Sequence, residues 1–269
     1  MNGPMNESEV RLAYLRPAQI RKRLNERPLI YVPIGPLEWH GPHLPMGVDP
    51  INAERVAWAA CAQTGGVVWP TLFWGTERER PPKMLRDLGL DPEAYIVGMD
   101  FPRNSLPSAY CHEETLGLLV REVLEQSARL GAQTVLIVNG HGAINHNDVL
   151  RRLAIEFTRA RGLRVVVRMA MPQARLDAGT IAHAGGDETS LMMHYEPQTV
   201  SLAELPPPSH PIRYEEYAIV DGPGFEGRGR PDRTVEDDPR TRATAERGRT
   251  FFEQTVVEIV EMVKTLDIS

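Results

Sequence analysis

Residues 38–49 read Glu38-Trp-His40-Gly-Pro-His43-Leu-Pro-Met-Gly-Val-Asp49, which puts two carboxylates and two imidazoles in one short loop. Carboxylate and imidazole without thiolate form a donor set for Zn²⁺, Mn²⁺ or Fe²⁺. On an extended stretch, side-chain direction repeats every second residue. Glu38 and His40 therefore face one side and can reach a single ion or two adjacent ones. Glycine or proline at positions 35, 36, 41, 42, 45, 47 and 50 stiffens the loop, as rigid ligand geometry requires. The competing interpretation is a turn carrying solvated charges. Against it stands the apolar run Leu29–Ile34 directly before, because open α/β sheets present reactive groups in the loops that follow their strands.

Two more clusters follow the same plan. The β-branched run Thr134–Val138 ends in Asn139-Gly140-His141-Gly142, where flanking glycines let the backbone approach a ligand closely. This loop also suits helix capping by Asn145 or Asn147, with His146 a helix or supporting residue rather than a ligand. The run Arg164–Met171 leads to His183-Ala-Gly-Gly-Asp187-Glu188-Thr189-Ser190. Across its glycine turn His183 and Glu188 can face one pocket, although Asp187, Thr189 and Ser190 also suit a helix cap.

Together these segments resemble the creatininase (creatinine amidohydrolase) family. The resemblance rests on Glu38-x-His40-Gly-Pro-His-Leu-Pro-x-Gly-x-Asp49, on Asn139-Gly-His141-Gly and on His183-Ala-Gly-x-x-Glu188-Thr-Ser, and it runs from about residue 28 to 195. It implies a three-layer α/β/α sandwich with a mostly parallel sheet, a centre of two divalent metal ions and a homo-oligomer, often a hexamer. Carried over by position, Glu38, Asp49 and His141 hold one ion, while His40 and Asp49 hold the other, with Asp49 bridging. Creatininase takes a further carboxylate where this chain has Ala143, so Glu188 is assigned to the second ion in its place. His183 matches the histidine that shuttles a proton, and His183 and Glu188 are the catalytic candidates. Two stretches depart from the family pattern. Gly142-Ala143-Ile144-Asn145 is one residue longer than usual, and Phe101-Pro102-Arg103-Asn104-Ser105 replaces the customary Phe-Pro-Gly-Thr. Both lie where substrate belongs and point away from creatinine itself.

The expected chemistry is a metal-activated hydroxide attacking a carbonyl of a small cyclic amide or amidine, with His183 protonating the expelled nitrogen. The alternative is a C–C hydrolase that opens an oxidised cyclic polyol, for which Arg103, Asn104, Ser105, Arg78, Glu79 and Arg80 offer hydroxyl-binding groups. A third interpretation is a non-catalytic scaffold that keeps the metal; buried carboxylates that repel each other argue against it. Zn²⁺ is the first expectation for the metal, with Mn²⁺ or Fe²⁺ as alternatives.

Composition limits the partners. The net charge of −6 and the absence of a basic stripe argue against nucleic acid. No apolar run approaches the roughly 20 residues that span a bilayer, so no membrane is expected. The start of the chain lacks the regions of a signal peptide, and Cys61 and Cys111 have no paired spacing, which together suggest a cytoplasmic protein with reduced thiols. The chain's 269 residues suit one hydrolase domain over 1–269 that binds a small molecule.

The elements that must position these groups alternate as in a parallel sheet covered on both faces. Helices are expected near 8–25, 51–63, 113–130, 146–161, 188–195 and 241–265, and strands at 29–34, 66–72, 134–138 and 164–170. In the last helix apolar residues at 252, 256, 259, 260 and 263 mark one inward face. The irregular stretch 74–112, with Trp74 and Phe101, is expected to wall the substrate site, and 203–240 to form a lid or a subunit contact.

Overall fold

Strand β1 (Leu29–Ile34) is the pivot of a parallel four-stranded sheet in the order β2-β1-β3-β4, with β2 at Val67–Val68, β3 at Thr134–Asn139 and β4 at Arg164–Met169. The computed structural model describes residues 9–179, 181–225 and 234–266. Every residue of β1 and β3 is buried, as expected for strands covered on both faces. Alternation then assigns the faces. Ile30, Val32, Ile34, Val135 and Ile137 pack with helices α1 (Pro17–Glu26), α4 (Glu113–Arg129) and α5 (Ile144–Arg161). Leu29, Tyr31, Leu136 and Val138 pack on α2 (Val48–Thr64) and on the last helix, α11 (Ala245–Thr265). The result is the expected three-layer α/β/α arrangement. In α11 the predicted face is correct: Val256, Ile259, Val260 and Val263 are buried.

Several boundaries differ from expectation. The strand expected over 66–72 shortens to Val67–Val68, because Pro70 has no N–H to donate to a ladder. Leu72 rejoins β1 only through an isolated bridge to Ile34. The first helix starts at Pro17 after a short 3₁₀ turn, Leu12–Tyr14, because Pro17 holds Arg16 extended. The expectation for residue 8 falls outside the described residues. The stretch 74–112 contains a short helix, α3 (Pro82–Asp87), whose Met84 and Leu85 are buried. The last expected helix divides into α10 (Pro239–Arg242) and α11, which starts where the Thr244 side chain caps the Arg247 N–H. Between β4 and α10 lie α6 (Gln173–Asp177), α7 (Gly186–Tyr195), α8 (Tyr214–Tyr217) and α9 (Gly222–Phe225). A third apolar cluster joins α3, Ile96 and Met99 to Ile212, Tyr214, Ile219 and Val220, so the two long connections pack on each other.

Helices α2 and α7 begin earlier than the apolar period suggests. Asp49 consequently sits in a first helical turn rather than in a loop, and Glu188 is the third residue of its helix rather than the first. The backbone charge at a helix N-terminus favours a carboxylate there.

Glycines permit the close approach of α2 to the strand ends. A Cβ at Gly140, directly after β3, would lie 2.0 Å from the Asp49 carbonyl oxygen, and one at Gly35, directly after β1, 2.7 Å from the Asp49 Cβ. Gly140→Ala must therefore displace backbone. It is expected to cost about 3 kcal/mol and to lower Tm by roughly 6–12 °C. Gly142→Ala, where the new Cβ meets nothing within 4 Å, should stay within about 0.5 kcal/mol of the parent. Thermal unfolding of the two variants side by side checks both values.

Candidate metal centre

The loop after β1 is tied at both sides. Glu38 N–H donates to the Met46 carbonyl (2.9 Å), Ala109 N–H to the Leu37 carbonyl (2.7 Å), and Trp39 N–H to Ser108 Oγ (2.9 Å). Glu38 and His40 are both buried and face the same space, as their spacing predicts. The Asn139 side chain closes the turn after β3: its Oδ1 accepts from His141 N–H (3.0 Å), and its Nδ2 donates to the His141 carbonyl (2.8 Å). His183 is fixed by a two-way backbone bridge to Val220 (2.7 and 3.1 Å). Ala184, in a left-handed conformation (φ 54°), gives its N–H to Glu188 Oε2 at 2.6 Å. A non-glycine residue held there stores strain, as functional turns often do.

These elements bring Glu38, His40, Asp49, His141, His183 and Glu188 together. Asp49 faces two histidines with separate oxygens: Oδ1 lies 3.3 Å from His40 Nε2 and Oδ2 lies 2.9 Å from His141 Nδ1. Glu38 Oε2 is 3.3 Å from His141 Nδ1, 3.9 Å from His40 Nε2 and 3.9 Å from His183 Nδ1. Glu188 Oε2 is 3.5 Å from His40 Nε2. Three overlapping triads could each hold an ion: Glu38, Asp49 and His141; His40, Asp49 and Glu188; and Glu38, His40 and His183.

The hydrogen bonds favour a cation at this place. His40 Nδ1 lies 3.0 Å from the Glu38 carbonyl, so Nδ1–H donates there and Nε2 is the nitrogen turned to the centre. That buried Nε2 has no aligned hydrogen-bond partner and faces the oxygens of Asp49 and Glu188. Such a contact is repulsive unless a proton or a metal ion lies between. Burial disfavours an imidazolium at His40, yet Glu188 and Asp49 raise its pKa to about 10. Burial pushes Glu188 up to about 8. At Glu38 burial acts upward too, but His141 and His183 hold the carboxyl well below its usual range. The donor set and the unsatisfied nitrogen fit a divalent ion such as Zn²⁺, Mn²⁺ or Fe²⁺.

Other candidates stand elsewhere. His43 turns from the centre and pairs through Nε2 with Thr189 Oγ1 (3.0 Å); burial and the neighbouring His40 push its pKa down to about 3. His146 lies on α5 with its ring edge-on to that of His141, centroids 5.1 Å apart. Neither Asn145 nor Asn147 caps α5. The helix starts at Ile144, Asn145 donates to Glu113 Oε1 (2.9 Å), and Asn147 donates to the Ala143 carbonyl (2.9 Å). Asp187 is no cap either: it is fully buried between Arg175 and Arg247. Thr189 and Ser190 likewise lie inside α7, where Ser190 bonds back to the Gly186 carbonyl.

The centre opens into a cavity of about 620 Å³. Arg78, Glu79 and Arg80 line it, whereas Arg103, Asn104, Ser105, Trp74 and Phe101 do not. Phe101 packs in the apolar cluster beside Met99, and Asn104 Nδ2 donates to the Met99 carbonyl (2.7 Å), which folds that turn back on itself.

A family model described as creatinine amidohydrolase, that of the creatininases, matches residues 13–263. The chain belongs to the creatininase family. A mycofactocin precursor peptide peptidase of Mycobacterium ulcerans (strain Agy99) is 29% identical over 256 residues, 88% of this chain and 84% of the peptidase. A creatinine amidohydrolase of Pseudomonas putida is 27% identical over 205 residues, 68% of this chain and 71% of that enzyme. A solved structure titled creatininase Mn matches 95% of this chain and 98% of its own, with a TM-score of 0.65 at 22% identity. As a creatininase-family protein the chain is a metal-dependent hydrolase. Among the described residues no helix is long and apolar enough to cross a membrane.

One residue of this creatininase-family centre escapes sequence reasoning. Tyr110, half-buried at the end of the long connection, donates its hydroxyl to Glu38 Oε1 (2.5 Å) and accepts from Met99 N–H (3.1 Å). Gly98, at φ +57°, makes room for it, since a Cβ there would meet the hydroxyl at 2.5 Å. No local pattern links a tyrosine to a glutamate 72 positions away; the adjoining glycine is the only hint. Tyr110→Phe frees the outer oxygen of Glu38 and should weaken divalent-metal affinity by roughly 10- to 100-fold while the fold persists. Chelator-competition titration together with circular dichroism checks this.

Proposed function

We propose that the chain hydrolyses a C–N bond of an amide or amidine at a pair of divalent ions, Zn²⁺ first and Mn²⁺ or Fe²⁺ as alternatives. The observation that carries this reading is the placement of Asp49, with one oxygen toward His40 (3.3 Å) and the other toward His141 (2.9 Å). Glu38 and His141 would complete one ion's shell, and His40 and Glu188 the other's, with Asp49 common to both. Ions held there would lower the pKa of a water toward about 7 and polarise a carbonyl oxygen.

The chain's own groups supply the rest. His183 Nε2 lies 2.7 Å from the Trp39 carbonyl and donates its proton there. Its Nδ1 is thus the free acceptor, and it points toward the centre, 3.9 Å from Glu38. In this reading Nδ1 takes a proton from the attacking water as the C–O bond forms, and returns it to the nitrogen as the C–N bond breaks. Glu188 also positions its neighbour, because the bond it accepts from Ala184 N–H (2.6 Å) fixes the turn that aims His183.

Two points favour C–N over C–C cleavage. Of the six residues that could bind the hydroxyl groups of a cyclic polyol, Arg103, Asn104 and Ser105 stand off the cavity and Arg80 is engaged with Glu77 and the Gly98 carbonyl, which leaves Arg78 and Glu79 on its wall. The mycobacterial and pseudomonad relatives are a peptidase and an amidohydrolase, both of which break C–N bonds. A cyclic amide, the expectation from sequence, satisfies the same chemistry as an open-chain one.

Asp49→Asn should abolish binding of both ions, read as metal per chain by elemental analysis; retention of a full complement would remove its bridging role. His183→Ala should keep the metal and lower kcat by about 10²- to 10⁴-fold, measured on a panel of cyclic and linear amides. An unchanged rate would remove its proton-transfer role. Chelation should lower Tm, because free ion at about 100 times its Kd stabilises a protein by about 2.7 kcal/mol. Differential scanning calorimetry with and without chelator reads that shift.

A further inference from the structure

The 620 Å³ cavity is far roomier than a small planar ring requires; spaces of about 300–1,000 Å³ accept drug-sized ligands. Its wall is also chemically distinctive. Four methionines from separate parts of the chain line it: Met84 on α3, Met99 in the long connection, and Met169 and Met171 at the end of β4. Ile144, the first residue of α5, and Phe225, the last of α9, line it too, and they remain 68% and 37% exposed. Large apolar side chains left uncovered around a concave site mark a binding surface. Of the cations on the wall, Arg80 is engaged with Glu77 (2.8 Å) and with the Gly98 carbonyl (2.8 Å) and Arg175 with Asp187, while half-exposed Arg78 reaches Asp148 at 3.8 Å.

We infer that the substrate carries a bulky apolar group, aliphatic or aromatic, beside the hydrolysed bond, seated against Met84, Met99, Met169, Met171, Ile144 and Phe225. This rests on the amide-hydrolase reading and specifies its substrate class. Thioether side chains are unbranched and polarizable, so the seat selects for apolar bulk rather than for one shape. Each further methylene that enters it should raise kcat/KM by about fourfold.

The test uses the full chain loaded with zinc. One arm measures kcat/KM for two amide series, one lengthened on the acyl side from acetyl to hexanoyl and 3-phenylpropionyl, the other lengthened on the amine side. At least about a tenfold rise across one series is expected. The second arm measures, by calorimetry, the affinity of hydroxamic acids with the same acyl groups and of N-alkyl hydroxamates with the same amine groups. Affinity should rise with apolar size, and Ile144→Asp combined with Phe225→Ser should flatten the rise. Both of those positions are solvent-accessible, so folding tolerates the change. Equal affinity along both hydroxamate series, or none for any member, overturns the apolar seat even when amides are hydrolysed. Affinity that climbs with size while no amide is turned over supports the seat and overturns the amide-hydrolase reading instead.

Discussion

Everything at this centre follows from placing three carboxylates, Glu38, Asp49 and Glu188, where water is largely excluded. Ligand atoms within each candidate triad lie within 4.8 Å of one another. Two like charges at about 4 Å repel by roughly 4 kcal/mol at an effective dielectric near 20, a large share of the roughly 5–15 kcal/mol that holds an ordinary fold together. The chain offsets part of this itself. Asp49 and Glu188 sit at helix N-termini, Ala184 N–H bonds Glu188, and His40 is poised to hold a proton. Full compensation asks for positive charge at the midpoint of the cluster, and a divalent ion supplies it without the geometry of any single hydrogen bond. A scaffold with no use for the ion would carry the repulsion for nothing.

The sheet explains why residues so far apart in sequence can share that charge. All four strands are parallel, so their C-terminal ends fall on one edge. β1 and β3 are neighbours in full register, Leu29 opposite Thr134 through Ile34 opposite Asn139. The loops carrying Glu38 and His141 therefore start side by side. Gly35 and Gly140, the first residue after each strand, leave the gap into which the first turn of α2 brings Asp49. A candidate ligand set that runs from Glu38 to Glu188 thus depends on two missing side chains.

What is legible in the sequence follows from local rules. Continuous apolar runs locate β1, β3 and β4, and polar clusters placed directly after such runs locate the candidate ligands. The second strand is overestimated because Val67–Leu72 is apolar enough, and only the missing donor of Pro70 stops the ladder. The apolar period sets helix starts too late at α2, α5 and α7 for a shared reason. Their first turns open with Asp49, Asn145 and Asp187, residues suited to chemistry or hydrogen bonding, and so the period begins only after them. Tyr110 and the orientation of the long connection depend on contacts between remote segments, which no window of sequence contains.

The long connection shows how composition misleads about a wall. Arg103, Asn104 and Ser105 look suited to hydroxyl groups, and Trp74 and Phe101 to a ring face. Yet Phe101 is drawn into the third apolar cluster, and Asn104 spends its amide on the Met99 carbonyl, so the polar turn is aimed outward. Met99 is left facing inward as a consequence. An apolar wall has a use beyond holding substrate. With an apolar substrate group seated on it, the wall would keep bulk water from the carboxylate cluster, and in that drier setting each fixed charge at the centre would act more strongly on a developing oxyanion than in a polar, hydrated cleft. On the proposed reading, the lining that selects the substrate by size and polarity would also sharpen the electrostatics of the bond-breaking step, which ties specificity and rate to one group of side chains.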